Sequence, residues 1–377
     1  MRNKICLNKG WSFCGPDKSV TTVDVPHTWN NIDGQDGGND YWRGSCTYTK
    51  TFARPDFDPA AQVVYLEFEG VNASADVTLN GQKVIHHDGG YSTFRADVTA
   101  LLKDENTLEV VADNSRNDRV YPQKADFTFY GGIYRDAWLV VVGKDHFDMD
   151  YFGGPGFQVT PTVDGKVRVQ SWTNVKDPEV TVTLTDADGK TVASGKGTDV
   201  ELVIPRVHLW DGVEDPYLYT ATLQLVEDGK PVDEVSCRFG VRSFRVDPKE
   251  GFFLNGRKYP LHGVSRHQDR RGIGNALTKE MHKEDMDLIR EIGANTIRLA
   301  HYQHAQYFYD LCDEYGMIVW AEIPYISEHM PNGRENTISQ MKELITQNYN
   351  HPSIVCWGVS NEITISTKDK ADMLDNH

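Results

Sequence analysis

The sequence predicts a multi-domain chain: two β-sheet domains followed by the first half of a TIM (β/α)8 barrel. Three observations support this organisation. Short alternating strands separated by turn dipeptides fill the first two thirds of the chain. A strand–helix alternation replaces them near residue 244, and each strand of that last part ends in polar side chains. The chain has 377 residues, more than one ordinary core accommodates. We therefore expect domains at residues 1–143, 144–243 and 244–377.

Residues 1–143 are predicted to form a β domain. Runs such as VVYLEFEG alternate apolar and polar residues, and the dipeptide Asn80-Gly81 is a strong hairpin signal. A long aromatic-rich stretch over residues 113–136 then precedes a regular strand at residues 137–142. Loops of that length are usually either functional or disordered. Because this one returns directly into a strand, we expect it to have a function.

Residues 144–243 predict an immunoglobulin-like sandwich. Strands recur about every ten residues, and Asp188-Gly189 and Asp228-Gly229 supply the turns. The six cysteines of the whole chain show no CxxC spacing, and no cysteine pair spans this domain. We therefore expect reduced, structural thiols rather than disulfides.

Residues 244–377 predict four strands of a βα-barrel with three complete helices between them. Thr278 is the expected N-cap of the first helix and Gly293 its end. Thr337 and Gln340 are spaced as a capping box for the third. A closed barrel needs about 250 residues, so we expect only strands one to four. Such a half-barrel would expose strand edges and apolar faces, which favours association into a homo-oligomer.

The polar residues that follow these strands are the candidate functional residues. Buried parallel strands are continuously apolar, and barrels carry their chemistry at the carboxyl ends of the strands. The side chains at these ends are Arg266, His267, Arg298, His301, Glu322, Asn361 and Glu362. Carboxylates combined with hydrogen-bonding groups suit glycoside hydrolysis, in which one carboxyl protonates the leaving oxygen and another attacks or activates water.

Each candidate also has a structural interpretation that the sequence leaves open. Glu362 and the preceding Asn361 could cap the next helix, and Arg298 could tie two strands together through a carboxylate. His267 and His301 could be structural histidines. Glu322 is either a supporting carboxylate or a direct contact to the substrate.

Composition excludes several classes of function. A net charge of −16 repels polyanions, so nucleic acid is not an expected partner. The sequence has no basic amphipathic stretch and no apolar run of about 20 residues, so we expect no contact with a membrane. The N-terminus lacks the pattern of a signal peptide, so a cytoplasmic location is expected. Histidines and a glutamate near the strand ends lack a recognised zinc spacing such as HExxH; they are His262, His267, His301, His304, Glu328 and His329.

The order of the domains and of several motifs resembles glycoside hydrolase family 2. The motifs are VPHTWN, ADFTFYGGIYRD, GVSRHQD, IGANTIRLAHY, DLCDEYGMIVWAEIP and WGVSNE. They are specific, and the resemblance covers essentially the whole chain. It implies that residues 1–143 form a jelly-roll β-sandwich of the sugar-binding type. Within the family, RHQDRRGIGNAL and the ADFTFYGGIYRD loop look more like bacterial β-galactosidases than β-glucuronidases or β-mannosidases.

The resemblance implies roles for individual residues. Glu362 matches the family's general acid/base, and Asn361 matches its contact to the sugar 2-hydroxyl. His267 and His301 match histidines that line the galactose subsite, and Arg298 matches an arginine that orients the nucleophile. Asp126 matches an aspartate of the first domain that reaches the sugar. Asn39 or Asp40 matches a second such contact, for which we take Asp40.

Two departures from the family qualify these expectations. Some bacterial β-galactosidases bind magnesium through a Glu and a His separated by one residue, whereas Glu328 and His329 are adjacent; we therefore expect no metal. The family's nucleophilic Glu lies on the seventh barrel strand, beyond this sequence. We expect the N-terminal part of a retaining β-galactosidase acting on terminal β-D-galactosyl residues, inactive by itself. The alternatives are a β-glucuronidase or β-mannosidase, or a non-catalytic carbohydrate-binding or complementation fragment.

Overall fold

The first domain is a sandwich of antiparallel strands. The computed structural model describes residues 2–33 and 41–377. In these ranges the domain contains strands β1 (Asn3–Cys6), β2 (Trp11–Cys14), β3 (Val20–Val23), β4 (Ser45–Ala53), β5 (Gln62–Phe68), β6 (Val71–Asn72), β7 (Ser74–Leu79), β8 (Gln82–Asp88), β9 (Phe94–Asp97), β10 (Glu105–Asp113), β11 (Gly132–Ile133) and β12 (Ala137–Gly143). One sheet has the order β1-β12-β5-β9 and the other β3-β2-β4-β10-β7-β8. Side chains from both sheets, among them Tyr48, Phe68, Leu108 and Leu139, form the buried core.

The predicted hairpin turn at Asn80-Gly81 is confirmed. It joins β7 to β8, and the φ angles of Asn80 and Gly81 are 54° and 79°. Two successive positive φ angles are the signature of a type I′ turn, which matches the twist of the flanking strands.

The second domain is a smaller sandwich. Its strands are β13 (Phe157–Pro161), β14 (Lys166–Ser171), β15 (Glu179–Thr185), β16 (Thr191–Lys196), β17 (Asp199–Val203), β18 (Tyr219–Glu227) and β19 (Lys230–Phe239). They form sheets of order β13-β14-β17 and β16-β15-β18-β19. The turn at Asp228-Gly229 again has two positive φ angles, 48° and 74°. The inward positions of both sheets, such as Val159, Val182 and Leu223, form one core.

The third domain contains four parallel strands with helices between them. An antiparallel unit of β20 (Phe244–Asp247), β21 (Gly251–Leu254) and β22 (Arg257–Lys258) precedes β23 (Gly263–Arg266), α1 (Lys279–Glu291), β24 (Thr296–Leu299), α2 (Gln306–Tyr315), β25 (Ile318–Glu322), α3 (Arg334–Asn348), β26 (Ile354–Gly358) and α4 (Lys370–Asn376). The sheet order β23-β24-β25-β26 follows the chain, and every pairing is parallel. The described residues contain the predicted four strands and no closed barrel.

The helix ends confirm one predicted cap and correct another. Thr278 accepts a hydrogen bond from the Met281 amide at 3.4 Å, as expected for the N-cap of α1. The capping box on α3 is wrong, because a 3-10 turn at Pro331–Gly333 starts the helix at Arg334. Thr337 therefore lies inside the first turn, where its hydroxyl donates to the Arg334 carbonyl at 2.7 Å.

The parallel sheet has one covered face and one open face. Ile297, Leu299 and Val319 pack with side chains of α1 and α2 in a single core. On the other face the register aligns Ser265, Arg298, Trp320 and Cys356 in one row. Trp320 is 45% exposed, and β23 and β26 are edge strands. The prediction of self-association rests on this face and these edges, and it stays a prediction.

Buried polar contacts join the domains. Arg2 donates from Nε and Nη2 to the fully buried Asp233 carboxylate of the second domain, at 3.1 and 2.9 Å. In the third domain, Asp313 accepts from His351 Nδ1 at 2.6 Å and from the Ser353 amide at 3.1 Å. The Asp313 carbonyl in turn accepts from the indole of Trp210, a residue of the second domain, at 3.0 Å.

All six cysteines lie among the described residues and are free thiols. Over residues 2–33 and 41–377, the helices are too short or too polar to span a bilayer.

The contact between His351 and Asp313 predicts a pH-dependent stability. Burial alone would lower the pKa of His351, but the charge and hydrogen bond of Asp313, with Asp310 adding and Arg238 opposing, raise it. The folded-state pKa therefore lies above the unfolded value of about 6.5. Below about pH 6.5 the pair contributes its full stabilisation to the folded state. The contribution disappears as the pH rises through the folded-state pKa.

We expect His351→Asn to lower the free energy of unfolding most at about pH 5.5 and progressively less toward about pH 9. Urea unfolding across this range measures the difference from the unsubstituted chain. The control is His262→Asn, at an exposed histidine. A His351→Asn penalty that is constant with pH would contradict the assignment.

Candidate active site

A loop of the first domain completes the rim at the carboxyl ends of the parallel strands. This bridging loop (residues 114–131) runs from β10 to β11. The Met330 amide donates to the Tyr121 hydroxyl at 2.6 Å, Lys124 Nζ donates to Ser366 Oγ at 2.8 Å, and the Tyr130 hydroxyl donates to Asp269 Oδ2 at 3.1 Å. The loop thus contacts the segments that follow β23, β25 and β26. These contacts account for its length.

At the centre of the rim, Arg298 and Glu322 form an ion pair. Arg298 Nε donates to Glu322 Oε1 at 2.5 Å, and Nη2 donates to Oε2 at 3.2 Å. Glu322 is only 2% exposed. Gly358 faces Glu322 across the ladder, and a Cβ on Gly358 would lie 2.5 Å from Trp320 Nε1 and 2.7 Å from Glu322 Cγ. Glycine is therefore required there for Glu322 to take this position.

Glu322 also fixes the orientation and tautomer of His301. His301 Nδ1 lies 2.8 Å from Glu322 Oε2. A carboxylate accepts, so Nδ1 must carry the proton, and the 3.1 Å approach of Arg298 Nη2 to the same nitrogen is then a contact between two donors. In the neutral ring Nε2 is left as an acceptor. That nitrogen is the one available to a substrate hydroxyl.

Asn361 and Glu362 follow β26, and Arg298 anchors the first of them. Arg298 Nη2 donates to Asn361 Oδ1 at 2.7 Å, which leaves the amide N–H groups of Asn361 as donors. Glu362 has φ of +52°, an uncommon conformation for a residue with a side chain. Its exposed carboxylate makes no hydrogen bond or ion pair with any described residue. A strained, unpaired acid beside an anchored amide is typical of a functional site.

His267 lies beside His301 and beneath the bridging loop. The two imidazole centroids are 5.2 Å apart, and His267 Nδ1 is 3.3 Å from the Tyr302 hydroxyl. Burial lowers the pKa of His267, and the charges of His301 and Arg298 lower it further against the opposing influence of Asp269 and Asp126. Asp126 itself is exposed on the loop.

One predicted residue is not brought to this site, and another cannot be placed. Arg266 lies at the end of its strand as Arg298 does, yet it is buried on the helix-covered face, where it donates to Asp285 Oδ2 at 2.6 Å. Its guanidinium also stacks on Phe308 at 3.9 Å. The expectation that Arg266 lies on the rim is therefore wrong. Asp40, like Asn39, lies outside the described residues.

Neither His329 nor His304 has a ring nitrogen free to bind a magnesium ion. His329 Nδ1 lies 2.8 Å from the Tyr325 hydroxyl, and Nε2 lies 2.7 Å from Asp372 Oδ2. Both ring nitrogens are thus occupied. His304 is likewise fully buried between Arg266 and the Ala300 carbonyl.

Sequence reasoning missed Phe127 and Tyr302. Phe127 packs at 4.9 Å from His267 and 5.6 Å from Tyr302. The position of Phe127 directly after Asp126 was the available signal. Tyr302 follows His301, but nothing in its local pattern distinguishes it from a core residue.

Replacing Glu322 tests the central ion pair. Glu322→Ala leaves a partly buried imidazole and a partly buried guanidinium without their acceptor, so we expect a loss of about 3 kcal/mol in the free energy of unfolding. Urea unfolding measures it. The matched control is Glu109→Ala, at an exposed strand position, where a change within about 0.5 kcal/mol is expected. Equal losses in the two variants would rule out the proposed role of Glu322.

Each of the three domains matches a family model. Residues 35–135 match the glycosyl hydrolase 2 galactose-binding domain-like model, residues 150–242 the glycosyl hydrolases family 2 model, and residues 245–377 the glycosyl hydrolases family 2 TIM barrel domain.

Relatives and solved structures agree with these matches. A beta-glucuronidase of Bacteroides fragilis is 39% identical, covering 96% of this chain and 56% of the relative. A beta-galactosidase of Thermoanaerobacter pseudethanolicus is 29% identical, covering 94% and 49%. The crystal structure of an FMN-binding beta-glucuronidase from Faecalibacterium prausnitzii L2-6 superposes with a TM-score of 0.96 at 44% identity, covering 100% of this chain and 61% of that one. The chain thus spans about half the length of the curated relatives it matches. With all three domains matched in order, this chain belongs to glycosyl hydrolase family 2.

Proposed function

We propose that this chain supplies the acid/base side of the active site of a retaining β-glycoside hydrolase, with Glu362 as the general acid/base. The observation that carries the proposal is the pairing of an exposed, unpartnered Glu362 with an Asn361 anchored by Arg298 at 2.7 Å. Membership of the family supports hydrolysis of a β-glycosidic bond as the reaction.

In this proposal each rim residue has its own part in the reaction. Glu362 protonates the glycosidic oxygen as the bond to the leaving group breaks, and later accepts the proton of the attacking water. The N–H groups of Asn361 donate to a sugar hydroxyl. His267 and His301 each have a neighbour at Nδ1, and both bind sugar hydroxyls through Nε2.

Glu322 is not proposed as the nucleophile. A retaining mechanism needs a second carboxylate about 5–5.5 Å from the acid/base, free to attack the anomeric carbon. Glu322 is buried and already bound by Arg298 and His301. We propose that the nucleophile lies outside this sequence and that the chain by itself does not turn over substrate.

For the sugar, we propose a β-D-glucuronoside as the first candidate and a β-galactoside as the second. The relatives at 39% and 44% identity are named as beta-glucuronidases, whereas the beta-galactosidase of T. pseudethanolicus is 29% identical. This ranking reverses the expectation from the sequence motifs, which support the second candidate. The guanidinium of Arg298, the cation at the centre of the described rim, is committed to Glu322 and Asn361. A uronate carboxylate would therefore be bound by other residues.

A panel of 4-nitrophenyl β-glycosides tests the choice of sugar. In a polypeptide extended to the full length of the relatives, we expect the largest kcat/KM on the glucuronide, followed by the galactoside and the mannoside. The 377-residue chain alone is expected to release no nitrophenol above a buffer blank. Hydrolysis of the galactoside in preference to the glucuronide would favour the second candidate, and turnover by the chain alone would contradict the missing-nucleophile proposal.

Glu362→Gln in the extended polypeptide tests the acid/base role. General acid catalysis contributes about 10²–10⁴-fold, so hydrolysis of a substrate with a poor leaving group should slow by that order. A nitrophenyl substrate, which needs little protonation, should be less affected in the glycosylation step. The control is Glu335→Gln at an exposed helix position, expected to keep full activity. Equal rates for Glu362→Gln and the unsubstituted enzyme would remove Glu362 from the mechanism.

A further inference from the structure

Phe127 is a residue of the first domain that packs among the side chains of the third. Its ring centroid lies 4.9 Å from His267, 6.2 Å from His301 and 5.6 Å from Tyr302. The side chain is partly buried and packs against a cluster formed by Tyr91, Tyr134 and Tyr302. The bridging loop therefore places an apolar ring over both imidazoles of the rim.

We propose that Phe127 is a positioning residue of the active site, whose ring excludes water from His267 and His301 and fixes both imidazoles toward the sugar. This inference rests on the proposed function. Phe127 itself is not assigned a part in proton transfer or in attack on the substrate.

The hydrogen bonds of the two imidazoles explain why such a cover is needed. His301 is held firmly, because Nδ1 lies 2.8 Å from the buried carboxylate of Glu322. His267 has only the 3.3 Å contact between Nδ1 and the Tyr302 hydroxyl, a long and weak bond. Packing must therefore hold this ring. Phe127 and His301 both pack against it and supply that packing, the latter with an interplanar angle of 75°.

The charges around His267 show what removal of the ring would change. Asp269 and Asp126 favour its protonated form, whereas His301 and Arg298 disfavour it, and burial is the largest influence and lowers its pKa. A neutral imidazole keeps one ring nitrogen as an acceptor for a sugar hydroxyl. Without the Phe127 ring, water reaches His267, the desolvation cost falls, and the two aspartates gain relative influence.

NMR titration of the histidine Cε1–H resonances in the 377-residue chain tests the proposal. Assignment of His267 comes from comparison with His267→Gln. We expect Phe127→Ala to raise the pKa of His267 by roughly one unit, and Phe127→Leu, which keeps an apolar cover, to raise it by less than half as much. The control Tyr151→Ala removes an exposed ring elsewhere and should leave this pKa unchanged. Phe127→Gln, which fills the space with a polar group, should behave like Phe127→Ala and provides the test if the alanine variant does not fold.

An unchanged pKa of His267 in folded Phe127→Ala or Phe127→Gln would overturn the proposal. So would an equal rise in Phe127→Leu, because cover by an apolar group would then be irrelevant. The titration needs no substrate, so failure of the proposed hydrolysis would not affect it. A second outcome concerns the active, extended enzyme. If Phe127→Ala lowers kcat/KM but shifts neither the acidic limb of the profile of kcat/KM against pH nor the pKa of His267, the ring acts by another route and the proposal is wrong.

Discussion

The rim depends on one buried carboxylate. Glu322 ends the third parallel strand, and through it the protein fixes Arg298 on the second strand and His301 just beyond that strand. Arg298 then carries the constraint to Asn361 after the fourth strand. Burying a carboxylate is costly unless charge and hydrogen bonds compensate it, and here both oxygens of Glu322 have partners. The hydrogen bonds and the ion pair of Glu322 therefore hold three segments of the rim in one geometry. Glu362, by contrast, makes no such contact with the described residues.

The first domain takes part in this geometry. The bridging loop contacts the segments after the first, third and fourth parallel strands, and its residue Phe127 packs against both histidines. Because these contacts include hydrogen bonds and aromatic packing, the third domain alone would lack one wall of the site. The positions of the rim side chains therefore depend on a folded β-sandwich, because the loop belongs to that domain.

Much of the fold follows from local sequence, because its signals are local. The turn at Asn80-Gly81, the cap at Thr278 and the four apolar strands each depend on a few adjacent residues. The strand ends likewise identified Arg298, His301, Glu322 and Asn361, which the structure brings together. Their catalytic and binding roles, with those of Asp126 and His267, stay predictions.

The errors arise where the answer depends on register or on distant residues. Arg266 and Arg298 both lie at a strand end, but Arg298 pairs with Ser265 and Arg266 pairs with Leu299. Since side chains alternate across a strand, that offset of one residue sends Arg266 to the helices. Phe127 was missed because its partners are far away in the chain. The sugar stays a proposal, because relatives named as beta-glucuronidases and relatives named as beta-galactosidases both match this chain.

The protonation of His301 tests the central role of Glu322 most directly. Long-range ¹H–¹⁵N correlation at about pH 8, above the usual pKa of an imidazole, distinguishes the two neutral tautomers. If the Glu322 carboxylate organises the rim, His301 carries its proton on Nδ1 and Nε2 is bare. A proton on Nε2 instead would mean that Nδ1 does not donate to Glu322, and the account of the rim would be wrong.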